Sequence, residues 1–212
     1  MNIIDLFPTP ICEKYLEPLS KTTLKNFFKY ETKPDWEFEI LQSKNTYILE
    51  EKSFKNLKKQ INSFIQEYVD QILKPSSNLK FYITQSWLNY TNEKQTHYPH
   101  FHPNSIISGV YYINANPKFD YIRFKKNVYD QIKIYPKQFN KYNSDTWWIP
   151  AATNKIILFP SCLMHEVGNV KETYGKRMSL AFNVFAKGNF GSRLNCFLYI
   201  FLFIDHFFAG LS

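Results

Sequence analysis

The stretch Thr96-His-Tyr-Pro-His-Phe-His-Pro-Asn-Ser-Ile-Ile-Ser-Gly-Val-Tyr-Tyr-Ile-Asn114 decides how this chain is read. From Ser108 onward it is rich in β-branched and aromatic residues and predicts a strand. Before that it carries His97, His100 and His102. On extended backbone, residues two apart project from one face, so His100 and His102 offer two imidazoles to one cavity. His97, three residues before His100, is predicted to face the other side, at a rim or substrate channel.

Outward from this stretch the β pattern continues. Segments 81–89, 121–124, 155–159 and 177–186 share its composition and are separated by Pro, Asn and Gly breaks. Upstream, Phe54, Leu57, Ile61, Phe64, Ile65, Tyr68 and Ile72 recur at three- and four-residue steps, which predicts a helix with Ser53 as N-cap, ending before Pro75. Residues 3–12, with Pro8 and Pro10, predict a short edge strand. Helix first and sheet afterwards is an α+β arrangement, its strands closing into a sandwich or barrel.

The 212 residues suffice for one domain with a full core, and 44% apolar with 18% aromatic residues is a globular composition. The net charge of +8 comes from lysines scattered through Asn- and Ile-rich sequence, for which coding bias is a sufficient cause. No arginine-rich run or nucleic-acid motif is present. Cys12, Cys162 and Cys196 are odd in number, far apart and in no CxxC pair, as in a cytoplasmic protein with reduced thiols. The N-terminus has no signal-peptide pattern. Near the C-terminus, Cys196-Phe-Leu-Tyr-Ile-Phe-Leu-Phe-Ile204 is an apolar run of nine residues, against the roughly 20 that a membrane helix needs. Membrane insertion is one reading of it, and a packed appendage or the product of an altered reading frame explains it at least as well.

A fourth histidine, His165, lies in Phe159-Pro-Ser-Cys-Leu-Met-His-Glu-Val167, on a turn after an apolar strand, from which it can reach the metal held by a His-x-His pair. Imidazole suits Fe, Zn, Cu and Ni alike, whereas an open facial set of three ligands is the geometry of oxygen chemistry at Fe(II). Glu166 and Asp120 have no place in this pattern and are predicted to be solvated.

Twelve residues after His165 comes Arg177-Met-Ser179, opening an apolar strand. The combination resembles the distal half of the 2-oxoglutarate/Fe(II)-dependent oxygenase signature. More narrowly, Leu6-Phe-Pro-Thr-Pro-Ile11, Trp87-Leu-Asn89, His100-Phe-His-Pro-Asn-Ser105, Ser108-Gly-Val-Tyr-Tyr112 and Phe159-Pro-Ser161 resemble putative 2OG-Fe(II) oxygenases of bacteria and bacteriophages, over about Leu6 to Gly191. The resemblance implies a double-stranded β-helix, a jelly-roll or cupin-like barrel with N-terminal supporting helices, over residues 1–192, with an atypical apolar tail at 193–212.

It also implies a dioxygenase that uses Fe(II), O2 and 2-oxoglutarate to hydroxylate a small-molecule or peptidyl substrate, releasing succinate and CO2. Iron would be held by His100, His102 and His165. The far carboxylate of 2-oxoglutarate would be held by Arg177 and Ser179. Tyr112 joins them, because Ser108-Gly-Val-Tyr-Tyr-Ile113 also looks like the tyrosine-bearing strand of hypoxia-type prolyl hydroxylases. Substrate choice would lie in loops such as 125–145. Trp87, Tyr111, Trp147 and Trp148 would line the pocket or pack in the core.

Two departures stand out. His102 occupies the position where the superfamily usually carries Asp, so either three neutral imidazoles hold the metal or His102 stands behind it and water fills the place. Thr153-Asn-Lys155 replaces a common glycine, which adjusts a turn. Two rival readings share the barrel. A cupin-type metalloprotein would need a Glu five residues after the second histidine, where this chain has Ile107, and leaves Arg177 and Ser179 unexplained. A non-catalytic phage binding module has no need of the histidines and arginine together.

Overall fold

The computed structural model describes residues 1–30, 32–34, 40–91, 95–126, 132, 134–167 and 177–190. The apolar run from Cys196 and the tail at 193–212 lie outside the described residues. Eleven strands are seen among the described residues: β1 (Cys12–Tyr15), β2 (Thr32–Pro34), β3 (Leu41–Ser43), β4 (Lys80–Thr91), β5 (His97–His100), β6 (Ile107–Asn114), β7 (Tyr121–Lys125), β8 (Thr146–Pro150), β9 (Lys155–Pro160), β10 (His165–Val167) and β11 (Arg177–Lys187). Helix α1 (Lys21–Phe27) is capped by Ser20, whose hydroxyl accepts from the Thr23 amide. Helix α2 (Lys55–Tyr68) runs on into a π-turn at Val69–Leu73. No helix among the described residues is long and apolar enough to cross a membrane.

The strands form two antiparallel sheets. The larger has the order β1-β9-β6-β11-β4-β3-β2 and the smaller β5-β10-β7-β8. This is the two-sheet arrangement of the double-stranded β-helix expected from the sequence.

Alternation along the large sheet divides its side chains between two compartments. Leu88, Tyr90, Tyr111, Ile113, Ile156, Leu158, Met178, Leu180 and Phe182 join the core that also takes Leu57, Ile61, Phe64, Ile65 and Tyr68 of α2. Tyr112, Ile157 and Phe159 belong instead to the barrel interior, with Ile122 and Phe124 of the small sheet. Helix α2 therefore covers one face of the large sheet and leaves the other to line a cavity. Residues 85–89, 110–112 and 177–181 supply both core and site because they alternate.

The strand expectations for 81–89, 108–114, 121–124, 155–159 and 177–186 hold to within about two residues. Two local readings change, and the turn at Thr153-Asn-Lys155 takes a definite form. The edge strand is β1, beyond Pro8 and Pro10, because only past the prolines does the backbone have amides for β9. Ser53 lies inside a 3-10 turn (Lys52–Phe54), and Phe54 takes the N-cap place without a side-chain cap. That turn buries Phe54, which stacks on Phe27 at 4.3 Å, so packing sets the helix start. Asn154, standing for the common glycine, adopts φ 67°, a left-handed conformation that asparagine tolerates, and its side chain accepts from the Tyr111 hydroxyl at 2.9 Å.

Gly109 on β6 pairs with Phe182 on β11, and a Cβ there would come within 2.2 Å of the Phe182 ring. Gly109→Ala is expected to destabilise the chain by about 1–3 kcal/mol, the usual cost of overpacking. Chemical denaturation would measure it, and an unchanged midpoint would show that the ring can move aside.

Candidate metal centre

Strands β5 and β10 pair antiparallel with His100 directly opposite His165. Between that pair and the next, Val167 opposite His97, β5 has one more residue than β10. The resulting bulge turns His97 toward the same cavity, so the expectation that it faces the other side is corrected. Its ring lies 4.9 Å from that of His100. Pro99 is accommodated because β5 is an edge strand.

The imidazoles of His100, His102 and His165 offer ligand atoms that all lie within 4.8 Å of one another. Nitrogens bound to one ion stand roughly 3.0–3.4 Å apart at ordinary metal–nitrogen distances. Small side-chain rotations close the set. Among the described residues no carboxylate joins the group.

Two of the rings are oriented in the same way. Nδ1 of His100 meets the Tyr98 carbonyl at 2.8 Å, and Nδ1 of His165 meets the Leu163 carbonyl at 3.0 Å. A carbonyl only accepts, so each Nδ1 carries the proton and each Nε2 keeps its lone pair for a metal. The His102 ring is held differently, by contact with Trp87 at 5.9 Å and with the other two imidazoles at 5.1 Å. Its backbone is tied to the turn that leads into β10: the His102 amide donates to the Ser161 carbonyl at 3.0 Å. The Ser161 hydroxyl in turn bonds those of Ser105 and Ser108, both at 2.8 Å, and Ser108 donates to Asn183. This buried network joins the loop bearing His102 to the turn bearing His165.

Burial lowers the histidine pKa values. That of His165 falls to about 3 and that of His102 to about 4, desolvation being the larger cause and the neighbouring His100 the next. His97 is also held well below its ordinary value, mainly by desolvation. All three are neutral at pH 7, the form that binds metal. As pH falls below about 6.5 the unfolded chain takes up protons that these folded imidazoles refuse, so the stability they contribute above that pH is lost toward pH 4. Each such proton is worth about 1.4 kcal/mol per pH unit. The metal-free chain is thus expected to melt at lower temperature at pH 5 than at pH 7.5, with a shallower dependence in His165→Gln. A melting temperature that rises on acidification would contradict this.

The space beyond the histidines measures about 520 Å³ with its solvent-open mouth included. Its wall on the large sheet is ordered by strand register. Ser179 on β11 lies between Tyr112 on β6 and Asn89 on β4, and Arg177 lies opposite Thr91. Arg177, Ser179 and Tyr112, singled out from the sequence, all line this wall and are all buried. Burial pulls the Arg177 guanidinium down from its ordinary value, while Tyr112 and Asp120 act in the opposite direction, and burial pushes the Tyr112 phenol up.

Among the described residues, buried Trp87 Nε1 and Asn89 Oδ1 on the cavity lining lack a hydrogen-bond partner, and so does Arg177 Nη1, which faces Asp120 Oδ1 at 3.6 Å. Unpaired buried groups are costly, and the Trp87 N–H and the Asn89 side-chain carbonyl on one wall suit a polar ligand. Trp87 Nε1 with the Arg177, Ser179 and Tyr112 side chains makes a set of donors that suits a carboxylate-bearing ligand.

Three expectations are corrected here, and for Tyr111 the core alternative is the one seen. Asp120 is 5% exposed, its Oδ1 3.6 Å from Arg177 Nη1, because the turn before β7 carries it beneath the sheet. Glu166 is ion-paired with Arg123, its cross-strand neighbour. Tyr111 faces α2, since its neighbour Tyr112 takes the cavity side. Trp147 and Trp148 are 47% and 58% exposed on β8, an edge strand absent from the sequence reading. Trp147 nonetheless closes a cross-strand row, His100, His165, Phe124, Trp147, that spans the small sheet.

Residues 85–183 match the family model described as putative 2OG-Fe(II) oxygenase. A search of curated protein sequences finds no match. Among solved structures, a Pseudomonas putida prolyl-4-hydroxylase is similar at TM-score 0.57 and 11% identity, covering 85% of this chain and 94% of that one. HygX from Streptomyces hygroscopicus, solved with nickel, 2-oxoglutarate and hygromycin B bound, is similar at TM-score 0.56 and 11% identity, over 83% and 82% of the two chains. A prolyl hydroxylase from Trichoplax adhaerens, in complex with a hypoxia inducible factor peptide fragment, is similar at 0.54 and 14%, over 82% and 83%. At these identities the likeness is one of fold. The double-stranded β-helix is thus the fold of this chain, and its residues 85–183 are similar to the 2OG-Fe(II) oxygenase family.

Proposed function

We propose that this chain is a non-haem Fe(II)/2-oxoglutarate-dependent dioxygenase that hydroxylates a small-molecule or peptidyl substrate, with His100, His102 and His165 as the iron ligands. One observation carries the reading. Three imidazoles gather in the lining of a cavity whose wall also holds a buried arginine. A cupin-type metal site accounts for the first feature and not for the second. The solved relatives bind ligands as different as hygromycin B and a peptide, so the substrate class stays as broad as stated.

Iron bound with 2-oxoglutarate would supply the oxidising power, splitting the cosubstrate into succinate and CO2 as oxygen is consumed. The chain's own residues do the rest. His100 and His165 present Nε2 because their Nδ1 protons are committed to carbonyls. Arg177, Ser179 and Tyr112 hold the far carboxylate by charge-assisted hydrogen bonds in a site that burial keeps poor in water. Phe124 and Phe159 pack against His165 and shield that side of the site from solvent. Trp147, at the exposed end of the histidine row, offers an aromatic face where substrate would approach.

The test is oxygen-dependent release of succinate from 2-oxoglutarate by the iron-loaded chain. Succinate above the level of an Arg177→Ala control is expected, and its absence would overturn the reading. A search for +16 Da products in cell extract would then identify the substrate.

A further inference from the structure

Among the described residues Asp120 is the buried carboxylate beside the arginine, and the turn that carries it is firmly built. The Asp120 amide donates to the Asn116 carbonyl at 2.8 Å, the Asp120 carbonyl accepts from the Ala151 amide at 2.8 Å, and Oδ2 accepts from the Asn116 amide at 2.7 Å. Among the described residues the remaining oxygen, Oδ1, has no hydrogen-bond partner and faces Arg177 Nη1, 3.6 Å away and likewise without one. Both side chains are more than nine-tenths buried. Arg177 lines the cavity and Asp120 does not. The arginine therefore has a fixed negative charge at its back and the cavity in front. At 3.6 Å the two attract without a formed hydrogen bond, so the pair is close to its final geometry and one small movement from it.

We propose that Asp120 is a positioning residue for Arg177: it holds one edge of the guanidinium so that the other faces the cavity and engages the far carboxylate of 2-oxoglutarate. The inference rests on the cosubstrate reading above. Its physical basis is that a planar guanidinium binds a carboxylate well only when its fork is aimed, and an unpaired arginine on a flexible stem is free to turn. A simpler electrostatic view gives the opposite sign, since removing a nearby anion would strengthen the attraction of Arg177 for the cosubstrate. Orientation and charge thus make different forecasts for the same substitution.

The experiment is calorimetric titration of the full Ni(II)-loaded chain with 2-oxoglutarate and with 2-oxobutyrate, which keeps the metal-chelating end and lacks the far carboxylate. In Asp120→Asn the Kd for 2-oxoglutarate is expected to rise about 10- to 100-fold, as for a misaimed binding group, with 2-oxobutyrate and Ni(II) affinities within about twofold of wild type. In an Arg177→Met background the same substitution is expected to change nothing further. An unchanged or lower Kd for 2-oxoglutarate overturns the proposal. So does parallel weakening of both oxo acids, which marks a general structural role. If Asp120→Asn does not fold, Asp120→Glu is judged by the same criteria. Failure of the wild-type chain to bind 2-oxoglutarate would instead overturn the cosubstrate reading.

Discussion

His165→Ala is expected to lower iron affinity by more than about 100-fold, beyond the 10- to 100-fold typical of losing a partner that merely orients a ligand. Three features converge on this residue. It is 4% exposed, so its desolvation is already accounted for in folding, and its Nδ1 is committed to the Leu163 carbonyl. It is also the cross-strand partner of His100, so the two donors are fixed relative to each other by the β5–β10 ladder. His102 sits outside that ladder, in the turn after β5, and its ring is placed by packing. His102→Ala is accordingly expected to cost less than His165→Ala, and His102→Asp to recover much of the loss by restoring an anionic donor at the same place. Iron competition with a chromophoric chelator measures all three. Normal iron binding by His102→Ala would remove His102 from the ligand set and leave a two-histidine centre.

The second large effect concerns the other end of the cavity. Arg177→Ala is expected to weaken 2-oxoglutarate by roughly 100-fold or more while leaving iron affinity unchanged, since truncating one partner of a buried, hydrogen-bonded charge pair costs about 2–5 kcal/mol. Stability is expected to fall as well, by about 3–5 kcal/mol, because Asp120 is left as an uncompensated buried charge. The double replacement Arg177→Ala with Asp120→Asn separates the two effects. It restores much of the stability and none of the binding. If Arg177→Ala binds 2-oxoglutarate normally, the far carboxylate lies elsewhere.

The barrel and the clustering of His100, His102 and His165 were readable because they depend on short-range regularities. Alternation along 108–114 and 177–186 declares strands, and a His-x-His pair on extended backbone declares a shared cavity. The later His165 and the Arg177-x-Ser179 pair are legible through their order and spacing. What escaped depends on long-range register. His97 joins the cavity because of one extra residue between two cross-strand pairs, and no property of Thr96-His-Tyr-Pro-His100 reveals that partner. Whether Tyr111 or Tyr112 faces the site is a matter of phase, which the resemblance supplied and composition could not. Asp120 was taken as solvated because isolated carboxylates usually are, and its burial follows from a turn closed by Asn116. Strand β8 was missed because Thr146-Trp-Trp-Ile-Pro150 is short, ends in proline and exposes both tryptophans. Ser20 at the start of α1 was an available signal, an N-cap ahead of a weakly periodic helix.

The central claim is that one iron and one 2-oxoglutarate meet in this cavity. Anaerobic addition of Fe(II) and then 2-oxoglutarate, followed by visible absorption, tests it most directly. A metal-to-ligand charge-transfer band that requires both additions, and that is lost in His165→Ala, is the expected result. No band with both present at saturating concentration would contradict the account.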